Sequence, residues 1–169
     1  WEGGLRRLKL YGMVGLPTEE ELDIELTANL LLKIKKNIPG LKLTLGISTF
    51  VPKAHTPFQW IGLRKDAKKR LRFLEKKLNS NGIEVRPESF GWSVIQTLIS
   101  RGDRRLAPVI LSIRGHQNSL GSWKKAYKME QENPSKTRFT NNMFPPLPPW
   151  EEIINISWET SNTLPWSHI

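Results

Sequence analysis

The sequence contains no cysteine. A disulfide framework is therefore excluded, and so is any thiolate-ligated metal site within the chain. The sequence also lacks a signal peptide and an apolar run long enough to cross a bilayer, so we expect a cytoplasmic chain without a membrane span. The chain begins at Trp1 rather than Met, and residues 1–4 are typical of an internal segment of a longer sequence. We therefore expect the chain to be part of a larger protein.

Acidic residues are scarce relative to basic ones. The chain has 16 Asp and Glu against 26 Lys and Arg, which gives a formal net charge of +10 and a pI near 10.0. Such an excess of positive charge favours polyanionic partners, and a nucleic acid such as RNA is one interpretation. A solvated basic surface, or one that faces an acidic neighbour, is the other interpretation.

The sequence does contain a regular alternation of strand and helix patterns. Residues 8–14 form a short apolar run that stops before Gly15 and Pro17, which is typical of a buried strand. Thr18 then predicts a helix N-cap, and Glu21, three residues later, completes a capping box. The helix that follows has an apolar stripe that should cover a sheet, formed by Leu22, Leu26, Leu30 and Ile34.

The same alternation then repeats. Residues 41–51 predict a second strand, residues 64–79 a second helix and residues 83–86 a third, short strand. The buried stripe predicted for the second helix consists of Ala67, Leu71, Leu74 and Leu78. This order is that of an α/β domain in which crossover helices connect parallel strands. Two or three strands cannot close a barrel, so we expect an incomplete sheet.

The rest of the chain is helical and then rich in proline. Shorter helices are predicted near residues 92–100, 104–113 and 123–129. We therefore divide the chain into an α/β part at residues 1–88, a helical extension at residues 89–130, and a Pro-rich, partly irregular tail at residues 131–169. The Pro-Pro-Leu-Pro-Pro stretch within the tail also has the pattern of a polyproline ligand for a protein partner.

Two segments follow the first two strands and should meet at one edge of the sheet, where parallel α/β folds bind ligands. The first is Gly-Leu-Pro-Thr-Glu at residues 15–19. Its glycine either admits a ligand to the backbone or simply makes a sharp turn. The second is Ile-Ser-Thr-Phe-Val-Pro-Lys-Ala-His-Thr-Pro-Phe-Gln-Trp at residues 47–60. It presents polar groups among aromatic rings, as small-molecule pockets do, through Lys53, His55, Gln59 and Trp60.

Together these segments resemble the later strands of a radical S-adenosylmethionine (SAM) domain of the Elongator protein 3/MiaB/NifB-like kind. Residues 100–105 and the terminal Leu-Pro-Trp-Ser-His-Ile are also similar to an uncharacterized bacterial Fe–S oxidoreductase branch, often preceded by a cobalamin-binding-like domain. The resemblance implies an incomplete radical SAM partial barrel, followed by helical and Pro-rich irregular segments. It also implies S-adenosylmethionine and a 4Fe–4S cluster in the parent protein, with cobalamin as a further candidate cofactor.

The resemblance further implies roles for individual residues. In that family a Gly-x-Pro-x-Glu turn lies beside the adenine of SAM, and the last strand contacts the same ligand. The corresponding SAM-binding candidates here are Gly15, Leu16, Pro17, Glu19, Ser48, Thr49, Phe50 and Val51. The family's three cluster cysteines have no counterpart, so no residue of this chain is assigned a catalytic or metal-binding role. Reductive cleavage of SAM, which starts radical chemistry on an unidentified substrate, would belong to the parent protein, and this chain alone should be inactive.

Several residues have two interpretations each. Arg101, Asp103 and Arg104 lie on a Gly-containing turn between helical segments, where they predict either an ion pair with capping by Asp103 or a contact to substrate. Lys53, His55, Gln59 and Trp60 are the other substrate-side candidates. The second helix is strongly basic, which predicts either a solvated outer face or a face that follows RNA phosphates. The candidates for the second alternative are Lys65, Lys68, Lys69 and Arg72.

An incomplete sheet leaves a strand edge and apolar surface exposed. We therefore expect the missing N-terminal half of the same protein to be the natural partner of this chain. Without that half, we expect the chain either to associate with itself through the exposed sheet edge or to rearrange.

Overall fold

The computed structural model describes residues 3–115, 118–134 and 145–168. Residues 135–144 of the predicted Pro-rich tail, and the first two and the last residue of the chain, lie outside the described residues. The chain divides into two compact units. The first comprises Trp1–Phe50 and Arg64–Phe90, and the second comprises Val51–Leu63 and Gly91–Ile169. The loop that follows the second strand therefore belongs to the second unit.

A three-stranded parallel sheet is the centre of the first unit. Its strands lie in the order β1 (Arg7–Val14), β2 (Lys42–Thr49) and β3 (Glu84–Pro87). In the register of β1 and β2, Arg7 pairs with Lys42 at one end and Val14 with Thr49 at the other. The prediction of an α/β unit with a parallel sheet is thereby confirmed.

Two helices, α1 (Glu21–Asn37) and α2 (Ala67–Asn79), pack on the same face of this sheet. The side chains that alternate toward the helices are apolar, and the core that they form with α1 and α2 includes Val14, Leu43, Leu45, Ile47 and Val85. The side chains that alternate to the opposite face are mostly polar or exposed, and Tyr11 on that face is 78% exposed. Within the first unit the sheet is thus covered on one side only.

Helix α1 differs from the prediction in where it starts and in which stripe it buries. It begins at Glu21, and the backbone N–H of Glu20 donates to the Asp23 carboxylate at 2.8 Å. The prediction of Thr18 as the N-cap is wrong, because Thr18 has a φ of +66° and belongs to the preceding turn. The predicted buried stripe is also wrong, since Leu22, Leu26 and Leu30 are 59%, 55% and 60% exposed. The helix instead packs through a second stripe formed by Ile24, Ala28 and Leu31, while Ile34 of the predicted stripe is partly buried against the same core.

Helix α2 buries the stripe that was predicted for it. Ala67, Leu71, Leu74 and Leu78 are all buried in the core of the first unit, which confirms the prediction. Arg70 is buried as well, although its basic character had placed it on a solvated face. The helix starts three residues later than predicted, because Arg64 and Asp66 take part in the turn before it.

The second unit is helical. Its elements are α3 (Phe90–Arg101), a 3-10 turn (Arg104–Leu106), α4 (Ala107–Ile113), α5 (Leu120–Glu132) and the short α6 (Trp150–Ile154). Tyr127 of α5 packs edge-on against Trp150 of α6 and donates its hydroxyl hydrogen to the Pro148 carbonyl at 2.7 Å. Among the described residues, no helix combines the length and apolar character needed to cross a membrane.

Candidate functional site

The turn after β1 has a backbone conformation that requires glycine. Gly15 has a φ of +80°, in the left-handed region that is strained for other residues. A Cβ atom at this position would also come to 3.0 Å from the Cβ of Ala67 in α2. Both the conformation and the space therefore select glycine at the point where β1 meets the helices.

A buried carboxylate fixes the shape of this turn. The Glu19 Oε2 atom accepts a hydrogen bond from the backbone N–H of Gly15 at 2.7 Å and another from Arg70 Nη1 at 2.7 Å. The side chains of Arg70 and Glu19 are only 7% and 8% exposed. Since this carboxylate oxygen already serves two donors, Glu19 acts on the turn itself, and through it positions Leu16 and Pro17.

A second arginine supports the same turn from the segment just before α2. Arg64 donates from Nη1 to the Glu19 carbonyl at 2.6 Å, and binds the Asp66 carboxylate through Nε and Nη2. The hydrogen bond from Arg64 lowers the pKa of Asp66, with partial burial opposing it and Arg70 adding to it. Sequence reasoning missed the role of both arginines. The helical period could have indicated it for Arg70, which follows Ala67 by three residues and precedes Leu74 by four, on the buried side of α2.

The end of β2 lies beside this turn. The N–H of Phe50 donates to the Val14 carbonyl at 2.8 Å, so the pairing of the two strands continues past their last residues. Thr49 is buried, and its Oγ1 has no hydrogen-bond partner in the described part of the chain. Ser48 is half-buried on the open face of the sheet. The structure therefore brings seven of the eight SAM-binding candidates to one edge of the first unit: Gly15, Leu16, Pro17, Glu19, Ser48, Thr49 and Phe50.

The eighth candidate, Val51, begins a loop that belongs to the second unit. Within that unit Lys53 Nζ lies 3.4 Å from Gln96 Oε1 and 3.3 Å from Ser100 Oγ, both on α3. His55 is exposed and has a φ of +57°, and its N–H donates to Gln59 Oε1 at 3.1 Å.

The remainder of the loop is held by residues near the end of the chain. Gln59 Oε1 accepts from the indole N–H of Trp166 at 2.6 Å, and the Trp60 carbonyl accepts from the N–H of Trp158 at 2.7 Å. The Trp60 indole N–H is buried, and no partner for it occurs in the described ranges. The structure thus brings the loop candidates together within the second unit as a folded segment, with the His55 side chain at its surface.

Arg101 is a buried arginine without a carboxylate partner among the described residues. It is 1% exposed, and its guanidinium donates to the carbonyls of Ile153 at 2.6 Å and Ile156 at 2.8 Å. Its Cζ lies 3.8 Å from the ring centroid of Trp158. Burial lowers the pKa of Arg101 to about 10, so the side chain stays protonated near neutral pH. These contacts tie α3 to the segment that follows α6.

The two residues predicted with Arg101 have other positions. Asp103 accepts from the backbone N–H of Arg105 at 2.8 Å and forms an ion pair with the Arg105 side chain at 2.7 Å. Burial and the Arg105 hydrogen bonds oppose each other at this carboxyl, and the net effect lowers the pKa of Asp103. Arg104 is exposed. Asp103 therefore caps the turn and forms an ion pair, as the first of the two interpretations predicted. Its partner in both contacts is Arg105.

The basic candidates on α2 lie at the surface. Lys65, Lys68, Lys69 and Arg72 are exposed, and Lys69 forms an ion pair with Glu21 of α1 at 3.1 Å. In the described ranges, no three His, Asp or Glu side chains come together as a metal site.

Comparison with known proteins gives a curated relative of this chain. No protein-family model matches the chain, and no solved structure gives a significant match. A protein of Methanocaldococcus jannaschii named "Uncharacterized protein MJ0966" is 34% identical over 122 residues. The match covers 72% of this chain and 27% of that protein. The chain thus spans about a quarter of the length of its relative.

Proposed function

We propose that this chain forms part of the wall of a radical SAM barrel and lines the region where SAM and substrate bind. The observation that carries the proposal is the one-sided covering of the parallel sheet by α1 and α2. Doubly wound α/β folds place helices on both faces of the sheet. In a (β/α) barrel the helices form an outer ring, and the other face of the sheet turns inward.

The position of the candidate residues supports the same interpretation. Ligands of (β/α) barrels bind at the carboxyl ends of the strands. The Gly15 turn and the end of β2 lie side by side at that edge, joined by the hydrogen bond from Phe50 to Val14. In this proposal Gly15 and Glu19 are positioning residues, because they fix the turn, and Ser48 to Val51 supply the wall beside the ligand.

The residues present fit SAM but not the cluster. Ser48 is half-buried on the open face of the sheet, at the edge where the proposal places SAM. Its hydroxyl can donate one hydrogen bond and accept others, which suits the polar groups of SAM. Cluster ligands are absent because the chain has no cysteine. The 4Fe–4S cluster, which would supply the electron for SAM cleavage, must therefore be bound by another part of the parent protein.

The uncovered surfaces agree with a larger parent. The edge of β1 has no neighbouring strand in the described part of the chain. The exposed leucine stripe lies on the same helix, α1, that follows β1. In a barrel, a preceding strand and its helix would cover both surfaces, and we propose that the N-terminal half of the parent protein supplies them. Cobalamin use, and the substrate roles of Lys53, His55 and Gln59, belong to the same proposal and depend on that parent.

The proposal is tested on the full-length parent protein, reconstituted anaerobically with iron and sulfide and reduced with dithionite. We expect SAM-dependent formation of 5′-deoxyadenosine, measured by liquid chromatography and mass spectrometry. The variant Ser48→Ala removes a hydroxyl from the open face of the sheet, so we expect a higher KM for SAM. Ser80→Ala, at the exposed C-terminal end of α2, is the matched control and should leave KM unchanged. A parent gene without a three-cysteine loop upstream, or a reconstituted protein that forms no 5′-deoxyadenosine, would overturn the proposal.

A further inference from the structure

The open face of the sheet in the first unit is rich in positive charge. Arg7 and Lys9 of β1, Lys42 of β2 and Arg86 of β3 all alternate to this face and are exposed. The acidic side chains there are Glu84, which forms an ion pair with Arg86 at 2.8 Å, and Glu88. Arg86 is therefore neutralised locally, whereas Arg7, Lys9 and Lys42 form no ion pair within the described residues.

Two of these cations stand directly beside each other. Arg7 and Lys42 are cross-strand partners in the register of β1 and β2, and Lys9 follows two residues later on the same face. Like charges at directly opposed positions of a sheet destabilise it. An anionic ligand bound over this face would remove that repulsion.

An aromatic ring lies next to the cations. Tyr11 is 78% exposed, and two of its ring carbons lie 3.2 and 3.3 Å from the position that a Cβ atom of Gly46 would occupy. The ring therefore rests across β2, in space that only glycine leaves open. The ammonium group of Lys9 lies 4.8 Å from its centroid. An exposed ring beside cations is the combination with which proteins bind single-stranded nucleic acids, through base stacking and phosphate contacts.

The shape of the face favours a strand over a compact ligand. Two open depressions of about 580 and 460 Å³ lie along it, and Lys9 and Arg86 line both of them. The two depressions are thus neighbours on this open face. A small ligand is usually held in a pocket that encloses most of its surface, whereas an extended chain can follow an open track.

We propose that the open face of this sheet binds a single-stranded nucleic acid. Arg7, Lys9 and Lys42 contact phosphates, and Tyr11 stacks on a base. The inference rests on the proposed function only in making the bound strand a substrate, since the depression beside Tyr11 extends to Ser48, at the edge where that proposal places SAM. The binding itself requires neither SAM nor a cluster.

The test is a titration of this chain into a fluorescein-labelled oligouridylate of about 12 nucleotides, followed by fluorescence anisotropy at several salt concentrations. We expect binding that weakens with salt, with a log–log slope of about −2 for three phosphate contacts. The double variant Arg7→Gln/Lys42→Gln should reduce the magnitude of that slope by about 1.4. Tyr11→Ala should weaken binding by about tenfold or more, and Tyr11→Phe should retain it.

The matched control is Lys68→Gln/Arg72→Gln, which removes one lysine and one arginine charge from the exposed face of α2. Circular dichroism of each variant checks that the fold is kept, as expected for exposed side chains. No binding at low salt would overturn the inference. So would an α2 variant that weakens binding as much as the sheet variant, or equal binding of a duplex of the same length. If Tyr11→Ala binds like the wild type, the face is a general polyanion surface and the inference is wrong.

The two proposals fail separately. The titration contains no SAM and no iron, so its failure leaves the test by 5′-deoxyadenosine formation unaffected. A parent protein that forms no 5′-deoxyadenosine would remove the substrate role of the strand and leave its binding intact.

Discussion

At the scale of single residues, the turn after β1 depends on one carboxylate that serves two donors. Glu19 Oε2 accepts from the Gly15 N–H and from Arg70, in a place that solvent barely reaches. Arg70 keeps a second partner in Asp66 at 2.9 Å, so the guanidinium would not be left entirely unpaired without Glu19. The N–H of Gly15 has no such second acceptor among the described residues. Loss of the Glu19 carboxylate would therefore affect the Gly15 N–H more than Arg70.

We expect Glu19→Ala to lower the free energy of unfolding by about 2–4 kcal/mol, because it leaves a backbone N–H and part of a buried guanidinium without acceptors. Glu21→Ala is the control. This variant also removes a glutamate carboxylate. In the described ranges Glu21 forms an ion pair only with Lys69, and both side chains are exposed. Such pairs contribute little, so this change should stay within about 0.5 kcal/mol. Urea denaturation followed by circular dichroism measures both, and equal effects would show that Glu19 does not support the turn.

The contacts of Arg101 explain why arginine, rather than lysine, suits this position. It must reach the carbonyls of Ile153 and Ile156 at the same time and lie flat on the Trp158 ring. A planar guanidinium with several N–H donors can do so, whereas the ammonium of lysine cannot. Its Nη1 and Nη2 atoms already donate to carbonyls of the protein, so Arg101 ties together parts of the second unit, while its buried Nε has no partner among the described residues.

At the scale of elements, α1 carries two apolar stripes and buries one of them. The buried stripe includes Ala28 and Leu31, and the exposed one includes Leu22 and Leu26. Leucines of the same helix therefore differ sharply in environment: Leu31 is 3% exposed and Leu26 is 55% exposed. The same leucine-to-alanine substitution can therefore be compared at a buried and at an exposed position of one helix.

We expect Leu31→Ala to lower the free energy of unfolding by about 2–5 kcal/mol, because it leaves a cavity in the core. Leu26→Ala should change it by no more than about 0.5 kcal/mol. Both variants introduce alanine into the same helix, so the effect of helix propensity cancels. Thermal and urea denaturation provide the measurement, and a larger loss for Leu26→Ala would mean that α1 packs through the other stripe.

These two helices show how far the sequence determines the fold. Helix α2 has a single apolar stripe, and the side that it buries followed from the helical period alone. Helix α1 offers two apolar stripes, and only its packing in the core that it shares with α2 and the sheet decides between them. The start of α1 was misplaced for a related reason: Thr18 is a good capping residue, but the turn fixed by Glu19 and Arg70 gives it a left-handed conformation.

The candidate site was predictable to a similar degree. The order of strands and turns was enough to place Gly15 and Ser48 at one sheet edge. The partners of Glu19 were not predictable, because Arg64 and Arg70 are separated from it by 45 and 51 residues. The face that Tyr11 and Lys9 share was also missed, since the pattern of β1 shows alternation but not which side the helices leave open.

At the scale of the whole molecule, the first unit has two surfaces that other protein would cover. The outer edge of β1 presents unpaired backbone groups, which are a template for pairing with another chain. The leucine stripe of α1, formed by Leu22, Leu26 and Leu30, adds an apolar patch that is rare on isolated proteins when it is large. The curated relative is about four times longer than the part matched here. Both surfaces agree with the proposal that another part of the same protein packs on them.

We expect this chain to self-associate in solution, and the triple variant Leu22→Gln, Leu26→Gln, Leu30→Gln to reduce that association. Each site is exposed, so the free energy of unfolding of the isolated chain should change by no more than about 0.5 kcal/mol per site. Sedimentation velocity measures the association. Ile110→Gln/Leu111→Gln, which changes exposed apolar residues of α4 in the second unit, is the control.

The full-length parent gives the decisive comparison, because there the stripe should be covered. In the parent the triple variant should lower the free energy of unfolding by about 1.5–3 kcal/mol for each leucine that is buried. The same three substitutions are thus expected to be nearly neutral in this chain and strongly destabilising in the parent. If the parent tolerates them as well as the isolated chain does, the stripe faces solvent in both, and no preceding helix packs on α1.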